Sequence, residues 1–310
     1  MNYIFGPVPS RRLGRSLGVD VVPFKTCTYD CIYCQLGRTT CKTLQRKEWA
    51  PLETVLDQLR DKLTCRPDYI TLSGSGEPTL FSRTAELIDR IKKMTDVPLA
   101  VLTNGSLLWQ KEVRDQLARA DLVVPSLDAG DEAMFQAVNR PHEGISFEKM
   151  LDGLIELRRE FAGQYWLEVF LLAGYTAIDA ETAKLADCVE LIKPDRVQIN
   201  TVTRPPAEDF AVGVSRPRAV ELAEMFHQPA EVVADFHKGP MQAEFAPTRE
   251  QILDMLRRRP CSVGDIAGGL GIHANEAVKY VTDLYARGLL ARSWRDEKGV
   301  TFYQARPAKS

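Results

Sequence analysis

Short apolar runs recur along the first two thirds of the chain, and between them the apolar positions fall at helical spacing. The runs are Leu17-Gly18-Val19-Asp20-Val21-Val22-Pro23, Tyr69-Ile70-Thr71-Leu72, Pro98-Leu99-Ala100-Val101-Leu102, Leu122-Val123-Val124-Pro125-Ser126, Trp166-Leu167-Glu168-Val169-Phe170-Leu171-Leu172 and Arg196-Val197-Gln198-Ile199-Asn200. Near-continuous apolarity over such short stretches marks strands buried on both faces. The intervening segments read as helices near 51–64, 82–94, 109–119, 131–138, 146–162 and 180–192, the first with Val55, Leu56, Leu59 and Leu63 on one face. This alternation predicts an α/β fold of six parallel strands covered by helices. Six strands fall short of a closed eight-stranded barrel, but the barrel rule still directs attention to the C-terminal strand ends.

The periodicity changes after a helix at 216–226 and a connecting stretch at 231–247. Residues 248–259 show helical spacing of Ile252, Leu253 and Leu256, a second helix follows from Ser262 to Gly271, and a third runs 274–287 up to Gly288. Leu289–Trp294 and Gly299–Tyr303 then read as a pair of strands. Three helices and a two-stranded wing resemble a winged helix-turn-helix, so two domains are expected, 1–245 and 246–310. The third helix offers Asn275, Lys279, Tyr280 and Asp283 in place of a basic stripe; Arg292, Arg295 and Lys298 of the wing could meet phosphates. DNA, RNA or peptide docking, dimerisation and simple coverage of the larger domain all stay open.

Composition narrows the class. The chain has 310 residues, 45% hydrophobic and 26% charged, which suits one large and one small globular domain. Tyr3-Ile4-Phe5 is interrupted by Gly6-Pro7-Val8-Pro9, and no run approaches membrane-spanning length, so a cytoplasmic protein without a membrane partner is expected. The net charge of −2 conceals an asymmetry: residues 1–49 hold eight Lys/Arg against three Asp/Glu, residues 246–310 hold eleven against seven, and the middle carries −11. Basic ends point toward an anionic partner such as nucleic acid, or toward a solvated face. Seven cysteines, three of them clustered, argue against a disulfide framework; Cys65, Cys188 and Cys261 are expected to be buried and structural.

The clustered three are the strongest chemical signal. Cys27-Thr28-Tyr29-Asp30-Cys31-Ile32-Tyr33-Cys34 follows the first strand and places three thiols in one loop, with an aromatic residue before the last. Three such thiolates can ligate three irons of a 4Fe-4S cluster and leave the fourth open. With Cys41 added, the set could instead close a structural zinc site or a fully ligated cluster, although zinc knuckles usually bring two separate Cys pairs. The CxxxCxxC pattern resembles the radical S-adenosylmethionine (SAM) superfamily. The resemblance implies an open three-quarter barrel of (β/α)6 type, a 4Fe-4S cluster on Cys27, Cys31 and Cys34, and SAM chelated by the open iron. It implies one-electron cleavage of SAM to methionine and a 5'-deoxyadenosyl radical, fed by a reductant such as flavodoxin or ferredoxin.

Later strand ends fall in register with that resemblance. Ser73-Gly74-Ser75-Gly76-Glu77-Pro78 resembles the superfamily's GGE element, which implies Gly74, Ser75, Gly76, Glu77 and Pro78 near the SAM amino group, together with backbone around Tyr33. Thr103 and Asn104, Ser126 and Asp128, and Gln198 and Asn200 end the third, fourth and sixth strands. They are candidates for ribose, carboxylate or adenine contacts, against plain readings as turn, cap or ladder residues. Arg140 is a candidate partner of the SAM carboxylate. Glu168 in its apolar strand must be paired or face a cavity. No catalytic side chain is singled out. The stretches Phe5–Gly14 and Asn200–Pro206 are similar to radical SAM proteins related to the wyosine-type tRNA-modifying synthases. The expectation is therefore an iron-sulfur oxidoreductase or transferase modifying RNA, with a peptide or small-molecule maturase and an iron-sulfur DNA-binding regulator as rivals.

Overall fold

The computed structural model describes residues 2–10, 12–233, 249–270, 274–296 and 299–306. The chain opens with β1 (Ile4–Ser10), β2 (Gly14–Val19), β3 (Thr26–Cys27), β4 (Cys41–Lys42), α1 (Leu52–Lys62) and β5 (Tyr69–Leu72). It continues through α2 (Thr84–Met94), β6 (Leu99–Thr103), α3 (Lys111–Leu117), β7 (Leu122–Leu127), α4 (Glu132–Val138), α5 (Phe147–Glu160), β8 (Gln164–Leu171), α6 (Asp179–Ile192), β9 (Arg196–Thr201), α7 (Arg216–Ala223) and β10 (Ala230–Val232). Last come α8 (Arg249–Arg258), β11 (Cys261–Ser262), α9 (Val263–Leu270), α10 (Ala274–Ala286), β12 (Leu290–Arg295) and β13 (Thr301–Ala305).

Among the described residues the main sheet has the order β1-β2-β5-β6-β7-β8-β9-β10. Every neighbouring pair from β2 onward is parallel, and β1 runs antiparallel to β2. The six expected strands are all present in sequence order, and β1 and β10 extend the sheet at its two edges. Gly6, Pro7 and Pro9 fall inside β1, a composition that sequence reading takes for a loop but that an edge strand accepts. Neither α8 nor any other described helix is long and apolar enough to cross a membrane.

Strand alternation sorts the apolar side chains onto two surfaces. Along β7, Val123 and Leu127 join the large core beneath the helices, whereas Leu122 and Val124 turn inward to meet Leu13, Ala100 and Trp166. Leu13 comes from the β1–β2 turn, which thereby closes the floor of the curved sheet. Glu168 shares the inward face with Trp166 and Phe170, so it both faces the cavity and is paired, forming an ion pair with Arg12 of the same turn.

The tail builds a second hydrophobic core from Ile252, Met255, Leu256, Ile266, Ala277, Val281, Leu284 and Leu290, and Val8 of β1 is part of it. Its strands form an antiparallel sheet in the order β11-β13-β12, one strand more than the expected pair. Lys298 of the expected wing lies outside the described residues.

Candidate active site

Beyond β2 the chain enters the cysteine loop through Lys25, whose backbone is left-handed at φ 60°. Parallel pairing of β3 with β4 anchors one end of that loop. The other end rests on the C-terminus of α4, where the Asp30 and Ile32 amides donate to the carbonyls of Asn139 and Val138, both at 3.0 Å. Inside the loop the Asp30 carboxylate accepts from the Thr39 amide (2.7 Å) and Arg38 Nε (3.0 Å). This set of tethers fixes three sulfurs without any covalent link, since all seven cysteines are free.

Each sulfur meets a side-chain donor, and the Tyr29 amide also serves Cys27. Asn104 Nδ2 lies 3.5 Å from Cys27 Sγ, Asn139 Nδ2 lies 3.5 Å from Cys31 Sγ, and Lys25 Nζ lies 3.3 Å from Cys34 Sγ. Burial pushes the Cys27 thiol up to about 12 and raises Cys31 as well, so those two thiols are neutral without metal. Bound iron would displace those protons, and the three donors are placed to stabilise the resulting thiolates. Among the described residues no group of three or more His, Cys, Asp or Glu side chains converges as a single-ion site requires. Cys41 is exposed on β4 and does not line the cavity, so the arrangement fits a cluster on three thiolates. Cys188 and Cys261 are buried as expected; Cys65 is only half-buried, because it ends a short 3₁₀ turn at the rim of α1.

The turn after β5 runs directly against β3. A Cβ on Gly76 would sit 1.7 Å from the Thr26 carbonyl oxygen, so only glycine permits the crossing. Two backbone bonds seal it, from Lys25 N to Ser75 O (2.7 Å) and from Glu77 N to Thr26 O (3.1 Å). The Glu77 carboxylate is buried behind this turn. Its Oε1 accepts from Thr79 N (3.0 Å), Thr79 Oγ1 (2.6 Å) and Thr103 Oγ1 (2.6 Å), and its Oε2 accepts from Asn104 N (2.8 Å). Burial raises its pKa against the pull of those four donors. Glu77 thus fixes Asn104, and Asn104 in turn reaches Cys27.

The opposite wall is aromatic. Tyr33 stacks on Phe170 with ring centroids 4.0 Å apart, and its hydroxyl donates to Asp128 Oδ2, which also accepts from Asn139 Nδ2 at 2.7 Å. Burial pushes Asp128 up to about 7 despite both bonds. Its second oxygen, the Asn139 amide oxygen and the Tyr29 hydroxyl are buried with no hydrogen-bond partner among the described residues.

These walls enclose a cavity of about 390 Å³ at the C-terminal ends of the parallel strands. That volume falls in the range of small-molecule sites. Of the residues expected there, Cys27, Cys31, Cys34, Tyr33, Gly74, Ser75, Gly76 and Asn200 line it. Glu77, Thr103, Asn104 and Asp128 stand one layer behind, and Pro78 opens the short 3₁₀ turn that follows. Ser126 is in register with Glu168 on the neighbouring strand, and Gln198 donates to Glu231 of β10 at 2.8 Å. Arg140 does not line the cavity: with a left-handed backbone it pairs with Glu208, which Arg38 also engages. Sequence reasoning missed Lys25, although it stands two positions from Cys27. It also missed Asp20, Arg258 and Arg259, for which no local signal exists.

Three thiols, a glycine turn and an aromatic wall around one cavity could hold an open iron-sulfur cluster with a small cofactor beside it. The chain belongs to the radical SAM superfamily, whose sequence profile matches residues 21–186. It has the superfamily's partial-barrel fold, and that membership implies SAM and a 4Fe-4S cluster. In particular, it is 40% identical over 310 residues to a Brachyspira hyodysenteriae protein named GTPase Obg, covering 97% of this chain and 45% of that one. It is 36% identical over 214 residues to a UPF0026 protein of Methanocaldococcus jannaschii, covering 68% of this chain and 66% of that one. The chain therefore spans between about half and two thirds of the length of these relatives. The GTPase name is that longer protein's own; no Gly-Lys dipeptide, as a phosphate-binding P-loop requires, occurs in this chain. A solved structure of TYW1 with a lysine-pyruvate adduct bound shares the fold, with a TM-score of 0.52 and 18% identity over 71% of this chain and 74% of that one.

Proposed function

We propose that this chain modifies RNA, with tRNA as its substrate class, by radical SAM chemistry at Cys27, Cys31 and Cys34. The observation that carries the reading is the set of three free thiols, each with its own donor, opening on one cavity at the strand ends. A 4Fe-4S cluster on three thiolates supplies, with SAM, a one-electron cleavage that yields methionine and the 5'-deoxyadenosyl radical. The chain's own residues bind, orient and shield. Lys25, Asn104 and Asn139 stabilise thiolate charge. Ser73, Gly74, Ser75 and Gly76 offer backbone to the SAM amino group, and Tyr33 on Phe170 walls the cavity against water. Cytoplasmic flavodoxin or ferredoxin would deliver the electron.

The RNA assignment rests on charge and on the tail. The order α8, β11, α9, α10, β12, β13 supports the reading of residues 246–310 as a winged-helix domain. Asn200, Thr201, Val202, Thr203 and Arg204, the strand exit similar to wyosine-type synthases, line the cavity, as does Arg259. The fold likeness to TYW1 points the same way. The test uses anaerobically reconstituted, reduced protein given SAM, with 5'-deoxyadenosine assayed with and without total tRNA. Product that is lost in Cys31→Ala and stimulated by tRNA is expected. Product without stimulation would remove the RNA assignment, and no product from a reducible cluster would remove the radical chemistry.

A further inference from the structure

Asp20 follows β2 directly and is almost fully buried, at 5% exposed. Its Oδ1 accepts the Ser75 amide at 3.1 Å and its Oδ2 accepts the Ser75 hydroxyl. The neighbouring Gly74, at φ 148°, has no room for a Cβ, which would meet the same carboxyl group at 2.4 Å. Asp20 therefore dictates the path of the glycine turn that lines the cavity. The same Oδ2 forms an ion pair with Arg258, the last residue of α8 in the tail. A second Arg258 nitrogen donates to the Asn2 carbonyl at 2.6 Å, and the guanidinium lies 4.5 Å from the centre of the Phe5 ring. Removing the guanidinium would leave a buried carboxylate without its countercharge, a strongly unfavourable state that the turn must relax to relieve.

We propose that Arg258 is a positioning residue for SAM, so that the seating of the tail on β1 sets the cofactor affinity of the barrel. This rests on the reading that SAM contacts the Ser73–Gly76 turn. Coupling of this kind is reciprocal. Anything that lifts α8 from β1 weakens SAM binding, and bound SAM holds α8 down.

The experiment is equilibrium dialysis of labelled SAM against the reconstituted 310-residue chain, with iron content measured on every sample. Arg258→Gln with full iron is expected to raise the SAM Kd at least tenfold, and Arg258→Lys about threefold. Arg257→Gln on the same helix, whose guanidinium pairs outward with Glu250 and Asp254, should leave it unchanged. A wild-type Kd in iron-loaded Arg258→Gln overturns the proposal while leaving the cofactor reading intact. Where that variant fails to fold, an unchanged Kd in Arg258→Lys overturns it equally. Failure of the loaded wild-type chain to bind SAM would sink the cofactor reading itself and the proposal with it.

Discussion

Asp128 is held in a form the fold does not favour, and replacing it with asparagine should stabilise the metal-free protein. Burial pushes its carboxyl up to about 7, against an ordinary value of about 3.9. The group binds its proton more tightly folded than unfolded, so the charged form above about pH 7 carries the full burial cost. Three pH decades correspond to ~4 kcal/mol, and about 2–4 kcal/mol is a fair range for a buried group. In Asp128→Asn the amide oxygen can keep both the Tyr33 and Asn139 hydrogen bonds. The new NH2 takes the place of an oxygen that has no partner among the described residues. Thermal unfolding from pH 4 to 9 is the assay. At roughly 2–4 °C per kcal/mol, the variant should melt about 4–16 °C above wild type at pH 8. The gain should be flat above about pH 7 and fade toward pH 4, where the unfolded wild-type carboxyl also gains its proton. A gain independent of pH, or a loss at pH 8, would refute the argument. Survival of so costly a carboxylate beside the cysteine loop is what a functional site produces.

Three further outcomes follow from the same geometry. Asn104→Ala and Asn139→Ala each remove one donor from a sulfur proposed to hold the cluster, so the reconstituted cluster should become harder to reduce. A tenfold shift in its one-electron equilibrium, about 59 mV, would appear in an EPR-monitored redox titration, and an unchanged potential would show that the donors do not tune it. Gly76→Ala drives a methyl group into the Thr26 carbonyl and should cost ~3 kcal/mol or more. Iron incorporation should collapse, whereas wild-type loading would mean that β3 and the turn separate freely. Cys188, its thiol pushed up to about 11 by burial, should resist iodoacetamide at pH 8 while exposed Cys41 is alkylated; peptide mass spectrometry reads the ratio, and equal rates would contradict the packing.

Where both faces of an element are buried, the sequence carries a clean signal, which is why the six inner strands and their helices were legible from apolar runs. β1 was not, because its glycine and prolines imitate a loop, and β10 has only three residues to show. That the three cysteines share one cavity was legible because their spacing is local. Glu77 illustrates the limit: a carboxylate after a glycine turn is visible in the sequence, but not that four protein donors occupy it. Arg140 was offered to SAM on its position after α4, yet a carboxylate 68 residues away takes it. Glu168 had two readings, and only the closed β1–β2 turn shows that both hold. Asp20 and Arg258, 238 positions apart, are joined by folding alone.

Two arginines of the basic ends that pointed toward nucleic acid are paired with carboxylates inside the protein. Arg12 pairs with Glu168 and Arg258 with Asp20, while Arg204 of the middle segment pairs with Asp265 of the tail, so none of these remains a bare charge at the cavity. Arg259 differs, since it lines the cavity and its Nη2 is buried with no hydrogen-bond partner among the described residues. If the substrate is RNA, a phosphate should complete that guanidinium. Arg259→Gln should then weaken RNA binding and reduce the slope of log K against log salt by about one. A weakened affinity with an unchanged slope would mean that Arg259 touches base, sugar or protein instead. Unchanged affinity would return the +5 and +4 ends to the status of solvated surface and take the charge argument away from the RNA assignment.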